Sequence, residues 1–211
     1  DEFSAKKRGR HVSRIAMGDY DAIILAHSQF ERIPISVERQ KNMLQEQINQ
    51  ISQAIEKLNE QAGENWSVKQ MVRFRKNLKA QLDKLSAAGK KDDLLTFEEL
   101  GIDFMFIDEA HMFKNCFVHT KLSRIAGVNT TSSQRAFDVL MKCQYLQEIN
   151  NGRGVVFATG TPVSNSMSEM YVMMRYLEPD VLRDMGVSDF DSWAATFGRI
   201  VASLEITPEG G

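Results

Sequence analysis

Residues 104–115, FMFIDEAHMFKN, run from apolar side chains straight into two adjacent acids, then a histidine, a lysine and an asparagine. Taken from Ile102, the stretch IDFMFIDE is nearly continuous in apolar residues, and so are YDAIILAH at 20–27 and GVVFATGT at 154–161. Continuous apolar runs of this length, without alternation, predict strands of a parallel sheet covered by helices on both faces. Each run ends in small or polar residues. Ligands of open parallel sheets gather at the carboxyl ends of the strands, so the tails HSQ, DEAH and TGTP are expected side by side.

Helical patterns fill the gaps. Residues 131–149 open on capping residues and space Phe137, Leu140, Met141, Tyr145 and Leu146 as a helix does. After TGTP, Ser164, Asn165 and Ser166 are candidate caps, and Met167, Met170, Tyr171, Met174 and Leu177 fall on one helical face. Between the first two strands, Val37, Leu44, Ile48, Ile51, Ile55 and Leu58 keep heptad spacing. A break at QAGENWS follows, and Met71, Leu78, Leu82 and Leu85 resume the pattern after Ser67 as cap. This predicts an antiparallel helical hairpin over 36–91, inserted between 1–35 and 92–180, with a helical segment over 181–211.

The 211-residue chain has 43% hydrophobic and 26% charged residues, an ordinary soluble composition that excludes disordered and collagen-like classes. It has no apolar run long enough for a membrane helix and no signal-like start, so a cytoplasmic protein without a membrane partner is expected. Cys116 and Cys143 are too few for a disulfide framework and read as reduced thiols. A net charge of -2 hides two basic stretches. Lys6, Lys7, Arg8, Arg10 and Arg14 open the chain, and the second hairpin arm holds Lys69, Arg73, Arg75, Lys76, Lys79, Lys84, Lys90 and Lys91 against Asp83 alone. Both suit a nucleic-acid backbone, and both suit a solvated face.

A carboxylate fixed at the end of a buried strand can hold magnesium directly or through water, which fits Asp108. A second acid at the next position can orient or deprotonate a water, which fits Glu109. For an isolated Asp-Glu pair, strand termination and capping would be the plainer explanation. His111, Cys116 and His119 lie close in sequence but make a poor zinc site, with three ligands in one irregular stretch and no Cys-x-x-Cys pair.

The segment DEAH with its extension MFKN resembles motif II of superfamily-two DEAH helicases, and more narrowly the D-E-x-H-x-x-K-N pattern of Swi/Snf-like translocases. Lys114 and Asn115 match the extension. TGTPVSNSMSEMYVMMRYLEP is similar to motif III of the same family, matched at Thr159, Gly160, Thr161, Pro162, Asn165 and Glu169. Ser28 and Gln29 fall where the motif Ib region is approached. With GDYDAIILAHSQFERIPIS and FDSWAATFG, the resemblance covers almost the whole chain and lies nearest the very large helicase proteins of bacterial mobile elements and phages, in which the motor is often joined to an adenine DNA methylase module.

The resemblance implies a partial RecA-like (P-loop NTPase) lobe of α/β class that works with ATP and magnesium on DNA, in duplex form. Asp108 would hold the magnesium through water, Glu109 would activate the hydrolytic water, and His111 would couple them to Thr159 and Thr161. For the two threonines, turn chemistry before Pro162 is compatible with that role. Candidate nucleic-acid contacts are Ser28, Gln29, Lys69, Arg73, Lys76, Lys79, Lys114 and Asn115. The sequence has no G-x-x-x-x-G-K-[ST] loop and no second lobe. It is therefore expected to be a piece of a larger ATPase, inactive alone and partnered by the remainder of its polypeptide, with an edge strand at 154–161 exposed to self-association. The rival expectation is a non-catalytic interaction module built on the basic hairpin.

Overall fold

The computed structural model describes residues 5–61, 66–87, 95–118, 120, 133–164 and 166–199. Ala5–Met17 forms helix α1 and His27–Phe30 the single turn α2. Val37–Gln61 is α3 and Trp66–Ala87 is α4. A 3-10 turn at Phe97–Leu100 leads to strand β1, Met105–Ile107, and a second 3-10 turn at Ala110–Phe113 follows it. Helix α5, Gln134–Ile149, precedes strand β2, Val155–Phe157, after which come α6 (Met167–Leu177), α7 (Pro179–Asp184) and α8 (Phe190–Phe197). The class is mixed α/β, mostly helical, around a two-stranded sheet.

The two strands are parallel, as their apolar runs predict, with Met105 opposite Val155, Phe106 opposite Val156 and Ile107 opposite Phe157. Both are shorter than the apolar runs. Entry to the pair is set by Gly154, whose φ of 99° lies in the left-handed region. A Cβ there would come within 2.7 Å of Asn150 Nδ2 and 3.0 Å of the Asp103 carbonyl, so only glycine fits. Asn150 Nδ2 in turn donates to the Asp103 and Leu146 carbonyls at 2.7 and 2.9 Å, tying the end of α5 to the start of β1.

Two expectations fail here. Residues 20–26 form no strand, and Ile24 is 97% exposed. Without a neighbouring strand among the described residues to complete a ladder, an apolar run has no partner for its amides and carbonyls. The sheet is also covered on one face only. Met105 and Ile107 are buried, whereas Phe106 is 76% exposed and Phe104 and Val156 are exposed beside it. Strand side chains alternate between faces, and among the described residues no layer lies over the second one.

On the covered face, α5 buries Val139, Leu140, Cys143 and Leu146, and α6 buries Tyr171, Val172 and Tyr176. Ser133 caps α5 by accepting the Ala136 amide, and Ser166 caps α6 by accepting the Ser168 amide. Thr131, Ser132 and Asn165 lie outside the described residues. The buried stripe of α6 differs from the one its spacing suggests, because Met167 and Met170 are exposed and Met173 is buried. Apolar residues fill eight of the eleven positions of that helix and lie on every side of it, so periodicity alone cannot orient it. The buried tyrosines decide: the Tyr176 hydroxyl reaches the Ala136 carbonyl at 2.8 Å and the Phe113 carbonyl at 3.1 Å. Gln147 Nε2 donates to the Tyr176 and Leu177 carbonyls, satisfying two groups left open at the end of α6.

The hairpin forms. Helices α3 and α4 are separated by four residues and pack along each other, which requires an antiparallel course. Leu44, Ile48, Ile51, Ile55, Met71 and Leu78 are buried in the seam, with Leu82 and Leu85 packed against it. Val37 is exposed instead, and α4 starts at Trp66, one residue before the expected cap Ser67. The side chain of Leu58, like residues Lys90 and Lys91, lies outside the described set. The seam continues into the body of the fold through Phe117, Phe137 and Met141, so the hairpin shares a core with α5. The basic N-terminal stretch lies on a helix anchored by fully buried Val12.

Candidate active site

Past Ile107 the ladder persists for two more bonds. Ala158 N donates to the Ile107 carbonyl at 2.8 Å, and Ala110 N donates to the Ala158 carbonyl at 3.0 Å. Asp108 and Glu109 are held between these bonds as an exposed turn. Asp108 Oδ1 accepts the Glu109 amide at 2.9 Å. Glu109 adopts φ 49° and ψ 41°, a left-handed conformation that costs a non-glycine residue about 1–2 kcal/mol. Such strain clusters at functional turns.

The left-handed residue starts the 3-10 turn 110–113 and sends His111 back across the strand ends. His111 Nδ1 is 3.1 Å from Glu109 Oε2 and 3.2 Å from Thr159 Oγ1. Thr159 Oγ1 also accepts the Thr161 amide at 3.1 Å, so the hydroxyl serves both the turn and the histidine. Gly160, Thr161 and Pro162 are exposed. From the first of the three tails, His27 Nδ1 lies 3.3 Å from Met112 Sδ and its ring edge meets Phe113 at 5.4 Å. The tails DEAH and TGTP therefore meet at the ends of the paired strands, whereas HSQ follows no strand and its His27 reaches only Met112 and Phe113 of the turn.

Two solvent-facing carboxylates at a strand end suit a hydrated hard cation shared with phosphate oxygens, which needs few protein ligands. Among the described residues no group of three or more His, Cys, Asp or Glu side chains could cage a metal. Cys116 is buried, and His119 lies outside the described residues. A cavity of about 450 Å³ sits elsewhere, at the hairpin root, lined by Ser36, Glu38, Arg39, Glu46, Glu98 and Glu148. Arg39 is already forked onto Glu148 at 2.9 and 2.6 Å, so the other charged residues of the lining are all acidic, which is unsuited to phosphate.

The nucleic-acid candidates are spread more widely. Ser28 is exposed on α2, while Gln29 Oε1 accepts the Ala26 amide at 3.0 Å. Lys69, Arg73, Lys76 and Lys79 are exposed on α4, away from the seam residues Met71 and Leu78. Asn115 is exposed and its carbonyl accepts the Ser133 amide. Lys114 turns inward, with Nζ 3.1 Å from Ser164 Oγ and 3.1 Å from Glu169 Oε2.

Spacing did not reveal the fully buried Lys142. Its Nζ donates to Asp138 Oδ2 at 2.6 Å and to the Phe30 carbonyl at 3.1 Å, and lies 4.3 Å over the Phe30 ring. Burial lowers the Lys142 pKa and raises that of Asp138, each opposed by the charge of the other. The pair pins α2 to α5, and its i, i+4 spacing was the one available sequence signal.

A family model described as "Probable helicase domain" matches residues 1–209. The chain belongs to this helicase-domain family. Among curated proteins it is similar to Defense against restriction protein B of Escherichia phage P1, 26% identical over 191 residues, covering 89% of this chain and 8% of that protein. It is also similar to human Lymphoid-specific helicase, 27% identical over 92 residues (43% of this chain, 8% of that protein). The ISWI chromatin-remodeling complex ATPase of Saccharomyces cerevisiae is 27% identical over 96 residues (46% of this chain, 6% of that protein). The resemblance to Swi/Snf-like helicases is thereby established at low identity, and the chain spans less than a tenth of these relatives. No solved structure matches it. No described helix is long and apolar enough to cross a membrane.

Proposed function

We propose that this helicase domain is the motif II and motif III part of a RecA-like lobe in an ATP-driven, Swi/Snf-like DNA translocase. The observation that carries the reading is the His111 bridge: one imidazole nitrogen lies within 3.2 Å of both the Glu109 carboxylate and the Thr159 hydroxyl. A residue so placed registers any shift of the motif III turn at the acid beside it. Asp108 holds the hydrated magnesium of ATP, with one oxygen kept in place by the Glu109 amide. Glu109 orients and deprotonates the attacking water, and its left-handed backbone sets the bearing of the carboxylate. ATP with magnesium supplies the phosphoanhydride bond whose hydrolysis drives movement.

The phosphate-cradling loop and second lobe belong to the remainder of the polypeptide, and the chain in hand does not hydrolyse ATP. More of the same lobe covers the apolar face of Phe104, Phe106 and Val156. Duplex DNA is gripped by the basic α4 face of the hairpin, with 36–91 acting as a unit inserted between the two parts of the lobe.

The test is DNA-stimulated ATP hydrolysis by the full-length polypeptide and by its Glu109→Gln variant. The variant is expected to lose at least about a hundredfold in kcat while nucleotide binding stays within a fewfold. A Glu109→Gln protein that hydrolyses ATP normally would refute the assignment, and so would magnesium-dependent ATPase activity of the 211-residue chain alone.

A further inference from the structure

Residues three apart lie one above the other in a 3-10 turn. His111 and Lys114 have this spacing along the 110–113 turn and its cap, and both meet the segment after β2. His111 meets Thr159, at the start of that segment. Lys114 meets its end, donating to Ser164 Oγ and to Glu169 Oε2, each at 3.1 Å. The same carboxylate oxygen accepts the Ser164 backbone amide at 2.6 Å. Residues 159–164 are thus held at both ends by the motif II turn.

The two rungs differ in burial. The Lys114 and Glu169 side chains are 9% and 13% exposed, against 39% and 59% for His111 and Glu109. Charge-assisted hydrogen bonds shielded from water are the stronger kind, while exposed ion pairs add little. Glu169 also belongs to the first turn of α6, where the helix dipole favours a carboxylate and the helix fixes its place. A lysine committed in this way has two of its three ammonium donors engaged and its charge offset by Glu169, which disfavours a phosphate contact.

We infer that Lys114 and Glu169 form a clasp that positions the 159–164 turn against the Asp108–Glu109 turn, making Lys114 a positioning residue in place of a nucleic-acid contact. Its consequence for hydrolysis rests on the function proposed above; the clasp itself does not. Severing it frees the end of the turn and lets Thr159 drift from His111.

Amide hydrogen exchange on this chain reads the clasp directly. Lys114→Met and Glu169→Gln are each expected to speed exchange at Ser164 by about tenfold or more and at Thr161 by less, with Lys114→Arg close to the parent. Unchanged exchange at both amides in both variants overturns the clasp. The salt dependence of duplex DNA binding is expected to be unaltered by Lys114→Met, and a log–log slope shallower by about one marks a phosphate contact and also overturns it. In the full-length polypeptide, Lys114→Met should lower kcat for ATP more than fivefold with KM within twofold, and Lys114→Arg should restore it; an equal loss in both variants refutes the positioning role. A polypeptide that hydrolyses no ATP refutes the proposed function instead, and the exchange data still judge the clasp.

Discussion

Glu109 and Lys142 each occupy a place that costs free energy, and the surroundings show what offsets it. The left-handed backbone of Glu109 is held by ladder bonds on either side and by the Asp108 carboxylate on its amide. Lys142 is removed from water completely and offset by Asp138, the Phe30 carbonyl and the Phe30 ring. Cutting one side of such a pair leaves the other charge desolvated, a larger loss than the net value of the pair. Lys142→Met is therefore expected to cost about 3 kcal/mol in urea unfolding, with Lys142→Met/Asp138→Leu recovering most of it. A single-variant cost below about 1 kcal/mol would mean the pair is not charged in the folded state. The meeting of the DEAH and TGTP segments was legible because both follow apolar runs that pair as parallel strands. The His111–Thr159 contact was implied by the family resemblance, whereas the Lys114–Glu169 pair joins positions 55 residues apart and no local pattern announced it.

Among the elements, the hairpin was the most legible, because a heptad seam is a local pattern that needs no tertiary context. Its attachment was not. Phe74 of α4 stacks on Phe117 with ring centroids 3.6 Å apart, and the Phe117 carbonyl accepts from Arg175 of α6 at 2.7 Å. Through Phe117, three residues beyond Lys114, the hairpin is packed directly onto the chain leaving the 110–113 turn. The basic face of α4 stays in solvent, the placement a backbone-tracking surface needs. Replacing Lys69, Arg73 and Lys76 with alanine should make the salt dependence of duplex binding shallower by about two to three log–log units at unchanged helix content. An unaltered slope would leave the hairpin as a structural element only. Helix α6 shows the opposite case: its apolar residues run all round, and tyrosine hydrogen bonds, invisible in the pattern, chose the buried side.

The molecule as a whole keeps several titratable groups neutral by burying them. Tyr171, whose hydroxyl donates to the Ser188 carbonyl at 2.6 Å, is pushed up to about 12 from an ordinary 10.0 by burial. Burial also raises Tyr176 and Cys143. The folded state keeps these protons after the unfolded chain has released them, so this stability is intact below the ordinary values and is lost as pH rises. Lys142, lowered by burial, acts with the opposite sign up to its ordinary 10.5. The melting temperature is therefore expected to fall most steeply between about pH 10 and 12, and Tyr171→Phe should make that fall shallower. A profile unchanged by Tyr171→Phe would show that its proton is not held by the fold.

The sequence by itself determined the parallel pairing, the hairpin seam and the capped helix α5, because each depends on residue type at short spacing. Only the tertiary structure decided that 20–26 stays out of the sheet, that one sheet face is bare, and that Lys114 turns to Glu169. Those outcomes depend on which distant surfaces are present to bury apolar area and compensate charge, and no local pattern carries that information.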